Sequence, residues 1–267
     1  MADPRRKISV MGILNLNQDS YFAPSRYNMS ILDSGADIID IGAVSTRPGA
    51  SGVSPEEEWA RLEPVLRSLD PSLNVSLDTV RPSIVERAAD VLGRRFIVND
   101  ISAGEDDSAM LGTVARLGLG YIAMHKRGTP STMQDMCDYD DVVSDVLEYF
   151  RRFAAMADAA GVKDWIIDPG FGFAKTVEQN YRLLDSLDRF KETGHEVLVG
   201  ISRKSFIYKP LGITPEEALP ATQALHLAAL ERGADILRVH DVAAAQETVR
   251  IYRMLSLLDA PEGVLQL

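Results

Sequence analysis

Eight short apolar runs are spaced along this chain, and each ends on a polar residue: Asn15, Asp40, Asp78, Asn99, His125, Asp168, Ser202 with Lys204, and Arg238 with His240. A parallel strand covered on both faces is nearly continuous in Val, Ile and Leu, so a charge at its tip has left the buried part of the sheet. The runs span 8–14, 37–41, 74–77, 96–98, 121–124, 165–167, 197–201 and 235–239, and segments of helical periodicity separate them. Strands alternating with helices give right-handed parallel crossovers. The expected fold class is therefore α/β, a (βα)8 TIM barrel whose polar strand ends open on one face. An open doubly wound sheet is the alternative, but the first turn, Asn15 to Phe22, lacks the Gly-x-Gly-x-x-Gly of a dinucleotide site.

Helix signals fall between the runs. Ser54-Pro55-Glu56-Glu57 places a cap, a first-turn proline and acids before Trp59, Leu62, Val65 and Leu66 on one face. Thr214-Pro215-Glu216-Glu217 repeats the device before a helix expected over 218–232, and a third helix is expected over 139–160. Gly161 and Gly233 stand at C-cap positions. The first crossover is short: 22 residues separate Leu14 from Asp37, and after the loop only Asn28 to Ser34 remain for a helix of two turns at most. The expected organisation is a single domain over 1–267, with a barrel over about 8–258, a shortened first crossover and a loose tail over 259–267.

A formal net charge of -11 disfavours a nucleic-acid partner or an anionic membrane surface, which require a broad basic patch. Anions must be captured locally. The lone Cys137 leaves no partner for an internal disulfide, and no cluster has zinc-ligand spacing. The basic opening segment precedes an apolar stretch too short for a secretory core or a membrane span, so a cytoplasmic location is expected. The acidic stretches at 56–58 and 138–145 read as solvated faces, and Trp59 and Trp165 as packing.

Several strand ends carry chemistry. Asp168-Pro-Gly-Phe-Gly-Phe173 has two glycines that let backbone approach a ligand. Within Gly200 to Phe206, Lys204 reaches inward while Ser205 and the start of a helix offer donors to an anion. Arg238 and His240 share a side of their strand. Ser45-Thr46-Arg47-Pro48-Gly49 suits a loop that grips an anion. Asp78-Thr79 and Asn99-Asp100 supply an amide and acceptors for the edge of a planar heterocycle. His125 has two readings, substrate contact or a satisfied structural histidine; His195 and His226 are given no role, and Cys137 reads as an ordinary thiol.

In order, the stretches Met11 to Asn15, Asp40 to Gly42 with Ser45 to Gly49, Ser76 to Thr79, Asn99 to Ile101, Met124 to Pro130 with Thr132 to Gln134, Asp168 to Phe173, Ser202 to Phe206 and Arg238 to Asp241 resemble the pterin-binding (βα)8 family of dihydropteroate synthases. The resemblance implies a transferase that condenses 6-hydroxymethyl-7,8-dihydropterin diphosphate with 4-aminobenzoate, giving 7,8-dihydropteroate and pyrophosphate. It implies catalytic roles for Asp78, Lys204, Arg238 and His240, and a pterin pocket of Asp78, Asn99, Asp168, Lys204 and Arg238, with Arg238 stacked on the ring. Asn15, Thr46, Arg47 and His240 would hold the diphosphate, with Mg2+ as cofactor near Asn15. Thr46, Pro48, Phe173, Lys204 and Ser205 would hold 4-aminobenzoate, where sulfonamides compete. A homodimer through the last helices is also implied; Leu255, Leu257 and Leu258 fit such an interface and ordinary barrel packing equally well.

The chain departs from the family pattern after Asn15, reading Leu16 to Ser25 without the usual Thr-Pro pair, at Val44, and at Lys126, where methionine is common. Two other readings share the pocket: a pterin-dependent methyltransferase and a silent pterin-binding paralogue. The segments 202–206 and 45–49 argue against the methyltransferase.

Overall fold

The computed structural model describes residues 6–17, 27–44, 53–128 and 132–258. Eight strands, β1 (Ser9–Asn15), β2 (Ile38–Gly42), β3 (Val75–Asp78), β4 (Ile97–Asp100), β5 (Gly120–Met124), β6 (Trp165–Asp168), β7 (Leu198–Val199) and β8 (Ile236–Val239), pair in parallel in the order β6-β5-β4-β3-β2-β1-β8-β7. The two edges of that order meet through a bridge between Ile167 and Val197, which nearly closes the barrel. β7 is shorter than the expected 197–201 because the chain leaves the sheet at Gly200 to present Ser202 and Lys204 to the rim. Nine helices lie outside among the described residues: α1 (Pro55–Ser68), α2 (Pro82–Leu92), α3 (Met110–Leu117), α4 (Val142–Ala160), α5 (Val177–Asp185), α6 (Leu187–Lys191), α7 (Ser205–Leu211), α8 (Leu219–Glu231) and α9 (Val242–Leu258). None of the described helices is long and apolar enough to cross a membrane.

The core has two compartments. The larger lies between strands and helices and takes the outward residues of each strand, such as Val10, Leu14, Ile39, Ile41 and Leu77. The smaller fills the barrel itself with Met11, Ile38, Ile122, Ile166, Leu198 and Ile236, against which Ile97 packs. Side chains two positions further along a strand return to the same face. In β2, β4, β6 and β8 that next inward residue is Asp40, Asn99, Asp168 and Arg238. An apolar floor therefore lies directly beneath a polar layer.

The first crossover is as short as the residue count demands. Among the described residues of this crossover one 3-10 helix, Met29–Asp33, stands between β1 and β2, and of its residues only Ile31 is buried. Gly12 on β1 makes this sufficient: a Cβ there would lie 3.0 Å from both Ile31 and Val242, so its absence lets the short helix and α9 close over the strand together.

Helix starts follow local chemistry. Ser54 and Glu57 form the reciprocal capping box that opens α1. α4 begins at Val142 rather than 139, because the Asp141 carboxylate accepts from Ser144 N at 2.7 Å and sets the cap there. Thr214 and Glu217 also make their box, yet α8 starts only at Leu219. Pro220 has no N–H for the carbonyl of Glu216, and that carbonyl with Pro215 O instead accepts from Arg203 at 2.7 and 2.8 Å. Gly161 caps α4 in the left-handed region; at the end of α8 Arg232 is the cap and Gly233, at φ 103°, follows it. Glu58 corrects the expectation of a solvated acidic face: it is buried, accepts from Thr79 Oγ1 at 2.6 Å, and pairs with Arg81.

Candidate active site

Arg238 organises the polar layer. Its Nε donates to Asp40 Oδ2 at 2.6 Å and its Nη2 to Asp78 Oδ2 at 2.9 Å, while Asn99 Nδ2 donates to the same Asp40 oxygen at 3.1 Å. The ends of β2, β3, β4 and β8 thus join in one cluster across the end of β1. A single guanidinium between two carboxylates leaves one negative charge in excess. Burial, with the Asp40 charge beside it, outweighs Arg238 and pushes the Asp78 carboxyl up to about 7. Asp40 was legible only as a polar strand end; its inward position followed from strand parity, but nothing in the sequence paired it with Arg238, 198 residues away.

Asp168 and Lys204 form the opposite wall. Asp168 Oδ1 accepts from Gly170 N at 2.8 Å, and burial raises its pKa against the pull of Lys204. Burial lowers Lys204 to about 8 despite Asp168. The Lys204 ammonium donates to Phe171 O and stands 4.9 Å from the centre of the Phe173 ring. Ser205 is next in the chain, half-buried at the first position of α7.

A third group surrounds His240. Ser202 Oγ lies 3.0 Å from His240 Nδ1, and burial, reinforced by Arg238, lowers the imidazole to about 3. Between Ser202 and Lys204, Arg203 takes a left-handed φ of 54°, a conformation that a non-glycine residue holds only under constraint. The constraint is visible. Its guanidinium grips Asp241 with two bonds of 2.8 and 2.9 Å and donates to the carbonyls before α8, while its N–H donates to Thr222 Oγ1. Residues on either side of Arg203 therefore both face the rim.

Asn15 ends β1 in register with Gly42, beside β2. Thr46, Arg47 and Pro48, like the atypical loop 18–25, lie outside the described residues. Asp100, expected with Asn99 to face a ligand, is a structural hub instead: its carboxylate accepts from Ser102 N and Oγ, Gly104 N and Tyr121 OH. The structural reading of His125 holds, since it is buried against Lys175 and Tyr149. Lys126 is spent on both oxygens of Asp106, each at 2.9 Å.

Among the described residues no three His, Cys, Asp or Glu side chains converge as a metal cage. Asn15 offers one hard amide oxygen, a donor that fits Mg2+ when phosphate oxygens and water complete the shell.

The rim thus presents a guanidinium with its carboxylates, an amide, a buried carboxylate and an ammonium at one end of the barrel, a set suited to a flat polar heterocycle bearing an anion. Comparison with known proteins agrees. Residues 11–240 match the family model described as pterin binding enzyme. The dihydropteroate synthase of Neisseria meningitidis serogroup C is 41% identical, covering 94% of this chain and 94% of its own. That of Escherichia coli K12 is 39% identical over 91% of this chain and 89% of its own. Among solved structures, a Yersinia pestis dihydropteroate synthase in a sulfonamide drug complex superposes with TM-score 0.88 at 34% identity, covering 96% of both chains. One from Thermus thermophilus in complex with 4-aminobenzoate has TM-score 0.83 at 39% identity, covering 95% of this chain and 96% of its own. The chain belongs to the pterin-binding enzyme family, among the dihydropteroate synthases.

Proposed function

We propose that this protein condenses 6-hydroxymethyl-7,8-dihydropterin diphosphate with 4-aminobenzoate to 7,8-dihydropteroate and pyrophosphate. The observation that carries the reading is the cluster of Arg238, Asp40, Asp78 and Asn99 facing Asp168 and Lys204 above an apolar floor. A pterin entering this layer finds acceptors in Asp168 and Asp78 and donors in Asn99 and Lys204, with the planar face of Arg238 to stack on.

Breaking the C–O bond leaves positive charge on the pterin side and negative charge on the diphosphate. Asp78 is poised for the first. Burial disfavours its lone ionised form, so a cation forming beside it is stabilised more than the neutral substrate, which is the differential binding catalysis requires. His240, Asn15, Thr46 and Arg47 are assigned to the diphosphate. His240 is held neutral, so it serves as a hydrogen-bond partner rather than a charge. Asn15 would hold Mg2+, which when bound would supply charge neutralisation for the leaving group. The aromatic amine is already a nucleophile, and Phe173, Pro48, Lys204, Ser205 and Thr46 are assigned to its ring and carboxylate, the place where sulfonamides compete. A cytoplasmic homodimer is the proposed form; the exposed Ile251, Met254 and Leu255 of α9 supply apolar surface for a second copy.

Pyrophosphate release by the purified protein, with and without 4-aminobenzoate and Mg2+, tests the proposal. Release that requires both, with one dihydropteroate formed per pyrophosphate, is expected. Pterin binding without release would identify a silent paralogue.

A further inference from the structure

The turn after β6 contains three residues in the left-handed region within five positions: Gly170 at φ 71°, Gly172 at 80° and the non-glycine Ala174 at 48°. The glycines adopt this region freely, but Ala174 holds it only where its surroundings over-determine it. At its centre lies Lys175, 4% exposed, whose Nζ stands 2.9 Å from Gly170 O, 3.0 Å from Phe173 O and 3.0 Å from His125 Nδ1. Burial lowers the Lys175 amine to about 7, but an ammonium has three N–H groups and these are three acceptors, so the geometry favours the charged amine with a neutral His125 accepting through Nδ1. Burial and the neighbouring Lys175 lower His125 to about 2, in keeping with a neutral ring. Asn180 adds a second pin, accepting from Gly172 N at 2.7 Å. The turn also approaches β5 so closely that a Cβ on Gly170 would fall 1.9 Å from His125 O.

Everything this knot fixes points toward the rim. Gly170 N donates to Asp168, Phe171 O accepts from Lys204, and the Phe173 ring packs under the Lys204 ammonium. We infer that Lys175 is a positioning residue for the reaction: its buried ammonium locks the turn 170–174, and through that turn sets where Asp168, Lys204 and Phe173 stand. The inference rests on the pterin and 4-aminobenzoate sites assigned above. Lys175 touches neither substrate; it acts through backbone carbonyls.

Lys175→Met keeps an unbranched side chain one atom shorter and removes all three donors. In the full-length protein, with folding checked by circular dichroism, Kd for 6-hydroxymethylpterin is to be measured by fluorescence quenching, Kd for pyrophosphate by calorimetry, and KM for 4-aminobenzoate by turnover. The expected result is a loss of about tenfold in pterin affinity and a similar rise in the KM for 4-aminobenzoate, the cost of a lost charged hydrogen-bond set. Pyrophosphate affinity, assigned to the Asn15 and His240 side, should stay unchanged. Pterin binding equal to wild type, or equal losses for pterin and pyrophosphate, would overturn the inference, the second because it marks a general loss of structure. Should the Met variant not fold, His125→Phe removes one acceptor while retaining a ring against Tyr149; pterin affinity is then expected to fall about threefold with pyrophosphate unaffected, and no change overturns the proposal. Failure of the wild-type chain to bind any pterin would instead overturn the assignment of the site, and this inference with it.

Discussion

Two layers of side chains stand one above the other inside the same barrel, on the same strands and with the same parity, and they obey opposite rules. The floor, Met11, Ile38, Ile122, Ile166, Leu198 and Ile236, is held by burial alone. The layer above replaces Ile38 with Asp40, Ile166 with Asp168 and Ile236 with Arg238 two residues on, and each of these groups depends on a named partner. The difference teaches where stability and function separate in this fold: the floor closes the barrel, and the rim is an electrostatic structure in its own right. Deleting one member of the rim leaves another charge buried without its partner, whereas trimming the floor removes only contacts.

The sharpest test of that distinction is Arg238→Met. It leaves Asp40 and Asp78 facing each other in a buried layer, and removing one partner of such a cluster costs about 3–5 kcal/mol. Chemical denaturation should show that loss at neutral pH, with a large part regained as the solution is acidified and the carboxylates protonate. A loss independent of pH would mean the rim is held by packing like the floor.

Asp78 comes next. Asp78→Ala should lower kcat by about 10^3-fold, the scale of a lost electrostatic stabiliser, while changing pterin-diphosphate affinity much less; equal losses in both would contradict the role in stabilising the cation. Asp78→Asn should do the opposite to stability. The folded-state pKa of Asp78 is raised to about 7, so the native state binds a proton there that the unfolded chain has released, and the ionised form weighs against folding above that pH. The Asn variant is therefore expected to match wild type near pH 4, gain between pH 4 and 7, and hold a Tm advantage of about 2–4 °C above it. A Tm advantage that is the same at every pH would break the comparison from the rim side.

Much of this contrast was legible in the sequence because parallel strands must be apolar until they leave the core. The tips Asp78, Asn99, Asp168 and Arg238 were readable for that reason, and so was the shortness of the helix before β2, Met29–Asp33, since few residues are left for it after the loop. Pairings were not. Glu58 looked like one of three solvated acids in the first turn of α1, and only the fold brings it to Thr79 and Arg81. Lys175 carried no signal because its oxygen acceptors are backbone carbonyls, exposed to it by a turn whose positive φ values include an alanine. The delayed start of α8 required knowing that Arg203 would claim the carbonyls of Pro215 and Glu216.

Ser205→Ala probes the outer edge of the rim. A neutral hydroxyl at a half-buried helix start contributes a single hydrogen bond to the 4-aminobenzoate carboxylate in the proposed pose, so KM for that substrate should rise about three- to tenfold with kcat nearly unchanged. An unchanged KM would remove Ser205 from the pocket.

The smallest effect is asked of the floor itself. Ile166→Val deletes one methylene two residues below Asp168, on the same face of β6. Removing a buried methylene costs about 0.5–1.5 kcal/mol. The variant should therefore melt a few degrees lower while kcat and both KM values stay at wild-type levels, because Asp168 is held from above, by Gly170 N and the charge of Lys204, and not by what lies beneath it. A shift in the KM for the pterin diphosphate would show that the floor sets the height of the rim. The two layers would then be one mechanical unit, and the separation of folding from function drawn here would move up to the turn that Lys175 holds.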